Sequence, residues 1–143
     1  GLQIAIMPAF QGKGVSQIML EAMRAIGQKM GLKRLILPVR PSMKSRYPLT
    51  PMDNYISWKN DDGLPFDAWL RVHVRNGGNI IKTCHTAMEI GGSIAEWERW
   101  TAMRFPESGD YVVSGALSPI HMNLEQDEGL YIEPNVWVYH PLT

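Results

Sequence analysis

Across the six residues Gln11-Gly12-Lys13-Gly14-Val15-Ser16 the hydrophobic pattern changes from that of a strand to that of a helix. Leu2–Met7 before it is a short apolar run that Pro8 ends, which reads as a buried strand. After it, Val15, Ile18, Met19, Ala22, Met23 and Ile26 recur at helical spacing. This predicts an amphipathic helix with these residues inward and Gln17, Glu21, Arg24 and Gln28 on the other face. Gly31 supplies a left-handed stop, and Arg34–Pro38 reads as a second buried strand. Strand–helix–strand at this spacing predicts a parallel pair with a right-handed crossover, within an α/β (α+β) fold.

Two glycines in the loop permit dihedrals that a side chain forbids and let a ligand approach the backbone. The first amides of a helix have no intrahelical acceptor and lie at the positive end of its dipole. The loop therefore suits a phosphate or pyrophosphate, with Lys13 at the rim. The competing reading is a turn that merely joins strand to helix. A P-loop is excluded because no Gly-Lys-Ser/Thr ending is present. A dinucleotide fingerprint fails too, since its third glycine falls on Gln17.

The 143 residues, 45% hydrophobic, suit one domain with one sizeable core. Acidic and basic residues balance at 14 each, so no global field favours nucleic acid or an anionic membrane. A single cysteine, Cys84, rules out an internal disulfide and fits a reducing, cytoplasmic setting. No apolar run approaches the ~20 residues that span a bilayer, and the first residues lack the pattern of a signal peptide. Gly1 is not a natural initiator, from which a truncated or partial reading frame is expected.

Val39–Pro65 is irregular and proline-rich, with a short helix expected at Met52–Trp58, capped by Asp53. A helix is predicted over Phe66–Asn76, opened by Pro65 and stopped by Gly77-Gly78. Strands Asn79–Cys84 and Thr86–Ile90 are expected to pair tightly about His85. Ser93 is expected to cap a helix over Ile94–Met103, and strands follow at Tyr111–Ser114, Ser118–Asn123 and Tyr131–His140.

The run Ile6-Met7-Pro8-Ala9-Phe10-Gln11-Gly12-Lys13-Gly14-Val15-Ser16, followed by Ile18-Met19-Leu20, resembles the coenzyme-binding signature of the GNAT superfamily of acyl-CoA-dependent N-acyltransferases. That signature is Gln/Arg-x-x-Gly-x-Gly/Ala after a strand and a proline, opening a helix. Gln11 and Gly14 match it, and Ser16 replaces the usual Gly or Ala. The resemblance covers roughly residues 2–91, with an insert at 39–65. Residues 92–143 then form a C-terminal helix and strand extension packed on the same domain.

The resemblance implies a GNAT-like mixed sheet, flanked by helices, whose parallel pair splays around the pantetheine arm. By that likeness Ile4, Ala5 and Ile6 offer backbone groups to pantetheine. Gln11, Gly12, Lys13, Gly14, Val15 and Ser16 hold the pyrophosphate of acetyl-CoA or another acyl-CoA. The implied reaction is direct attack of an amine, of unidentified parentage, on the thioester. Many members use as acid a tyrosine four residues before the terminal glycine of the next helix. Counting back from Gly77 gives His73, whose imidazole ordinarily titrates near neutrality. An ordinary packed helix residue is the competing reading.

The family's helix-opening asparagine falls on Phe66, so that contact is lost. The strands that usually precede Leu2–Met7 are missing, which leaves an exposed edge. The tail or a second copy of the chain is expected to cover it, hence a homodimer. These departures keep a non-catalytic acyl-CoA-binding or regulatory module open beside the enzyme.

Glu133 is a candidate base in the tail, with Asn135 or His140 to orient a substrate, although Ile132, Val136 and Val138 alternate as in a half-buried strand. Arg40, Lys44 and Arg46 are a basic stretch, read as a solvated loop or as a contact for the coenzyme 3′-phosphate or an acidic acceptor. Tyr47, Tyr55 and Trp58 either wall a pocket or anchor the insert. Trp97 and Trp100 are expected to pack, and Cys84 to be a small buried residue. His85 and His121 have no partners at ligand spacing, so no metal site is expected.

Overall fold

The computed structural model describes residues 4–143. A single sheet is organised around its last strand, β5, Glu128–Pro141. The first strand, β1 (Arg34–Val39), lies along the C-terminal half of β5, from Arg34↔Pro141 to Val39↔Val136. On the other edge of β5 runs β2 (Asn79–Gly92), from Asn79↔Tyr139 to Gly92↔Gly129. The N-terminal part of β5 pairs with β4 (Ile120–Asn123), which in turn pairs with β3 (Gly109–Tyr111). Every ladder among the described residues is antiparallel.

The parallel pair expected from Leu2–Met7 and Arg34–Pro38 is therefore not formed among the described residues. Ile4–Met7 lie outside every ladder, and Leu2 lies outside the described residues. The chain turns instead into a 3-10 turn at Pro8–Phe10, where proline has no amide to donate to a ladder. The backbone of β1 finds its partner in the tail, not in the segment that precedes α1.

The helix after the loop, α1, spans Val15–Lys29, but its inward face is not the expected one. Leu20 is fully buried, Met23 packs beside it, and Gly27 is buried. Ile18, Met19 and Ile26 are exposed at 62%, 43% and 56%. The stripe that meets the protein is Leu20, Met23, Arg24 and Gly27, again at helical spacing but rotated. Two contacts account for the rotation. The α1 backbone comes close at Gly27, where a methyl group would overlap Leu142. Gln28 Nε2 also donates to the Leu142 carbonyl at 3.0 Å.

The hairpin expected about His85 is instead one continuous strand with a bulge. Cys84 faces Asn135 and Met88 faces Glu133, so three residues of β2 stand opposite Pro134. Proline lacks the amide that would continue the ladder, and the bulge accommodates the gap. The burial phase of β5 changes at the same place. Tyr131 and Glu133 are buried before it, and Val136, Val138 and His140 after it.

Helices α2 (Met52–Tyr55) and α3 (Ala68–Arg75) pack with α1 over Leu37, Val39, Val136 and Val138. Helix α3 starts at Asp67, whose carboxylate caps Trp69 and Leu70, not at Pro65. Helix α4 (Ile94–Thr101) has the expected Ser93 cap, completed by Glu96 as a capping box. It buries Trp97 in a second cluster with Phe105, Ile120, Met122 and Tyr131, while Trp100 stands edge-on to Trp97 and stays half-exposed. Among the described residues no helix is long and apolar enough to cross a membrane.

Candidate active site

The loop Gln11–Ser16 is open. Gly12 and Gly14 take φ of 72° and 75°, the left-handed region that favours glycine. A side chain built at either position meets nothing within 4 Å. Gln11 Nε2 donates to the Ile6 carbonyl at 3.0 Å and ties the loop to the preceding segment. The Gln11 amide donates back to Pro8, and bonds resume with Gln17 and Ile18 onto the Gly14 carbonyl. The amides between, at the N-terminus of α1, have no acceptor of good geometry among the described residues. Lys13 Nζ sits 5.6 Å from the centre of the Phe10 ring.

Beside the segment leading to that loop is an open cavity of about 690 Å³, within the range of small-molecule sites. Ile4 lines it, as do Met23 from α1, Leu37 and Val39 from β1, and Met88 from β2. His73 from α3 and Glu133 from β5 also line it, so both candidate catalytic residues reach one cavity. Ala5 and Gln11–Gly14 are exposed; Ile6, Val15 and Ser16 are half-buried.

His73 is 1% exposed, and its Nδ1 lies 2.9 Å from Nε2 of His140, which is fully buried. The end of α3 sets this up. The Gly77 amide bonds to the Val74 carbonyl and the Gly78 amide to that of His73, a motif that needs positive φ at Gly77 (78°). A methyl group on Gly78 would overlap the His140 ring, so the bare backbone there lets the two imidazoles meet. Burial pulls the His73 pKa from 6.5 down to about 4, and His140 pushes in the same direction. For His140, burial and then the Arg24 charge lower the pKa, while the Asn76 carbonyl opposes them. Trp69, another cavity residue, stands edge-on to His73 with ring centres 4.4 Å apart. The Nε2 of His73 and Nδ1 of His140 are buried without a hydrogen-bond partner among the described residues.

Glu133 is 4% exposed and well supplied with donors. Arg40 Nε reaches its two oxygens at 3.0 and 3.1 Å, and the Tyr131 hydroxyl donates at 2.8 Å. With its amide oriented to donate, Asn135 adds a bond at 3.2 Å. Arg40 Nη2 also donates to the Gly115 carbonyl at 2.8 Å. Burial pushes the Tyr131 phenol up to about 12; the Leu117 amide opposes this and Glu133 adds to it. For Glu133 to take a proton from substrate, one of these donors has to move aside.

Of the basic stretch, Arg40 and Arg46 are exposed, as a solvated loop would have them, and only Lys44 departs from that reading. Lys44 is 1% exposed and its ammonium donates to the Tyr47 and Leu117 carbonyls at 2.8 and 2.6 Å. Arg40 is bound to Glu133. Tyr47, Tyr55, Trp58 and Phe66 pack on one another, with ring centres 5.1 to 6.2 Å apart, and anchor the insert. The His73–His140 contact escaped sequence reading because it joins residues 67 apart. The adjacent glycines Gly77 and Gly78 were the available signal of a close approach.

No family model matches the chain. It is 29% identical over 159 aligned residues to the arginine N-acetyltransferase avaD of Aspergillus versicolor, an alignment covering 99% of this chain and 55% of that protein. It also superposes on the crystal structure of the loading GNATL domain of CurA from Lyngbya majuscula. That match has a TM-score of 0.59 and 20% identity, and covers 98% of this chain and 52% of the other. The chain thus spans about half the length of each. An antiparallel sheet with flanking helices that is similar to a GNAT-like domain over nearly all its length, together with the likeness to an N-acetyltransferase, gives this chain the fold of a GNAT acyltransferase.

Proposed function

We propose that the chain carries the acyl-CoA-binding and reaction core of an N-acetyltransferase. The observation that supports this most is the open Gln11–Ser16 loop at the start of α1, with two left-handed glycines and amides that have no partner among the described residues. In this reading the pyrophosphate of acetyl-CoA lies on those amides. The pantetheine arm follows Ile6, Ala5 and Ile4 into the cavity that His73 lines. The acceptor amine enters the same cavity, and its nitrogen attacks the thioester carbon. The carbon–sulfur bond breaks, the nitrogen gives up one proton to Nε2 of His73, and the departing thiolate takes that proton back. Amide and free coenzyme A result, with no net change in protons. Trp69 packs against His73 and has to shift for substrate to touch Nε2. Glu133, held by Arg40 and Tyr131, fixes the cavity wall and places a negative group near a cationic acceptor.

Calorimetric titration with acetyl-CoA tests the binding step. Gly14→Glu is expected to abolish binding, by charge and by bulk on the amides. Gly14→Ala carries the same backbone strain without the charge, about 1–2 kcal/mol, and is expected to keep measurable affinity. Unchanged affinity in Gly14→Glu removes the loop from the site. Thiol release with a panel of amines, arginine first because of the relative's name, then tests turnover. Binding without thiol release favours a non-catalytic acyl-CoA-binding module.

A further inference from the structure

The ion pair in the cavity wall is saturated on one side and open on the other. A carboxylate offers about four lone-pair positions. On Glu133 the Nε–H of Arg40 spans both oxygens, Tyr131 donates to Oε2, and Asn135, with its amide oriented to donate, reaches Oε1. Buried as it is, Glu133 has no capacity for a further donor. Arg40 is the reverse. Its side chain is 48% exposed, and Glu133 occupies only Nε, the nitrogen at the stem of the guanidinium. Nη2 donates to the Gly115 carbonyl, and Nη1 has no acceptor among the described residues. We propose that Arg40 is a specificity-determining residue that binds, through Nη1, a carboxylate carried by the acceptor, so that the acceptor is an amino acid and not a plain amine. This rests on the reading of the cavity as the acetyl-transfer site.

The guanidinium is held before any ligand arrives. Arg40 follows directly on β1 and Glu133 lies in β5, and the two strands are already paired at Val39↔Val136. With Nε fixed by Glu133 and Nη2 by Gly115, binding an anion costs little further ordering. A carboxylate suits the charge as well as the shape. Among the described residues Arg40 is the only lysine or arginine lining this cavity, whereas Lys44 lines a separate one and is spent on carbonyls. A single cation backed by Glu133 matches a singly charged group, while a phosphate dianion would meet the Glu133 charge with no second cation to offset it. The rest of the wall near β1 and β2 is apolar, from Leu37, Val39, Ala87 and Met88, and suits the carbon skeleton of the same molecule. A volume of about 690 Å³ holds an amino acid together with the acyl end of the coenzyme. Anchoring the carboxylate then restricts where the neighbouring amine can lie, which is how a fixed contact aids attack on the thioester.

Thiol release separates the two classes of acceptor when each amino acid of the panel is paired with the amine of the same skeleton that lacks the carboxylate, arginine with agmatine. In the unsubstituted chain kcat/KM is expected to favour the amino acid by at least about 10-fold, the scale of a hydrogen bond to a charged group. Equal or better turnover of the decarboxylated amine overturns the proposal. In Arg40→Gln the ratio of the two kcat/KM values is expected to collapse toward unity, whatever the substitution does to turnover in general. That variant leaves Glu133 buried without its cation, so a second one, Arg40→Met with Glu133→Gln, removes both charges and is expected to give the same collapse. A ratio unchanged in either folded variant overturns the proposal. Affinities for coenzyme A and for its 3′-dephospho form test the other anion in question. If Arg40→Gln weakens the first and not the second, Arg40 holds the coenzyme phosphate and the acceptor proposal falls. Should the unsubstituted chain bind acetyl-CoA yet release no thiol with either class, the transfer reading fails. Calorimetry of arginine and agmatine on the chain saturated with coenzyme A then decides the carboxylate site by itself, and equal affinities overturn it.

Discussion

Asp67 is 1% exposed, and its two oxygens gather donors from three parts of the chain. Oδ1 accepts from the amides of Ser42, Trp69 and Leu70, and Oδ2 from the Met43 amide and the Tyr55 hydroxyl, the last two at 2.8 Å. One carboxylate thus caps α3, pins the start of the insert and orients Tyr55, whose phenol burial and Asp67 push well above its usual pKa. Asp67→Ala strips several buried donors at once and is expected to cost about 3 kcal/mol or more. Tyr55→Phe removes one bond and leaves the cap intact, at about 1 kcal/mol. Denaturant unfolding of the pair checks this, and equal losses would mean that the backbone donors contribute little. None of it was legible in the sequence, where Asp67 is an ordinary acid after a proline. What made Lys44 look solvated was the same blindness: residue type reports charge, not the carbonyls that fold onto it.

At the scale of elements, what local chemistry dictates came through and what tertiary packing dictates did not. The Ser93 cap, the Gly31 stop and the two-glycine loop rest on backbone rules that operate within a few residues, and all three stand in the structure. The inward face of α1 depends on its neighbours, and the apolar count pointed to the wrong side. Ile18, Met19 and Ile26 outnumber Leu20, yet a close backbone approach at Gly27 sets the rotation. The same holds for the parallel pair, since which edge β1 meets depends on a tail a hundred residues away. A matched pair of substitutions tests the rotated face. Leu20→Ala is expected to lose about 2–5 kcal/mol, as buried leucines do, and Ile26→Ala to stay within about 0.5 kcal/mol. The opposite ranking in urea unfolding would restore the face read from periodicity.

Taken as a whole, the molecule joins three of its elements through a buried polar cluster: Arg24 on α1, His73 on α3 and His140 on β5. Burial lowers the pKa of His73 and of His140 and so favours their neutral forms, which couples global stability to pH. A pKa held below its unfolded value means that the unfolded chain binds more protons, so stability is complete above about 6.5 and declines as pH falls toward about 4. For His73 that drop is worth about 3 kcal/mol, and the lowered pKa of His140 adds to it with the same sign. Exposed carboxylates titrate at the low end of this window, so the cluster has to be isolated by difference. Unfolding free energies of the unsubstituted chain and of a His73→Leu, His140→Leu variant, measured at steps from neutral to mildly acidic pH, provide it. The unsubstituted chain is expected to lose stability more steeply below about 6.5, and the variant to keep only the shallower carboxylate slope. Parallel curves would mean that the two imidazoles are already charged, or solvated, in the folded state. The same lowered pKa keeps His73 neutral at the cavity wall but weakens it as a proton acceptor, so a single titration bears on both the fold and the proposed chemistry.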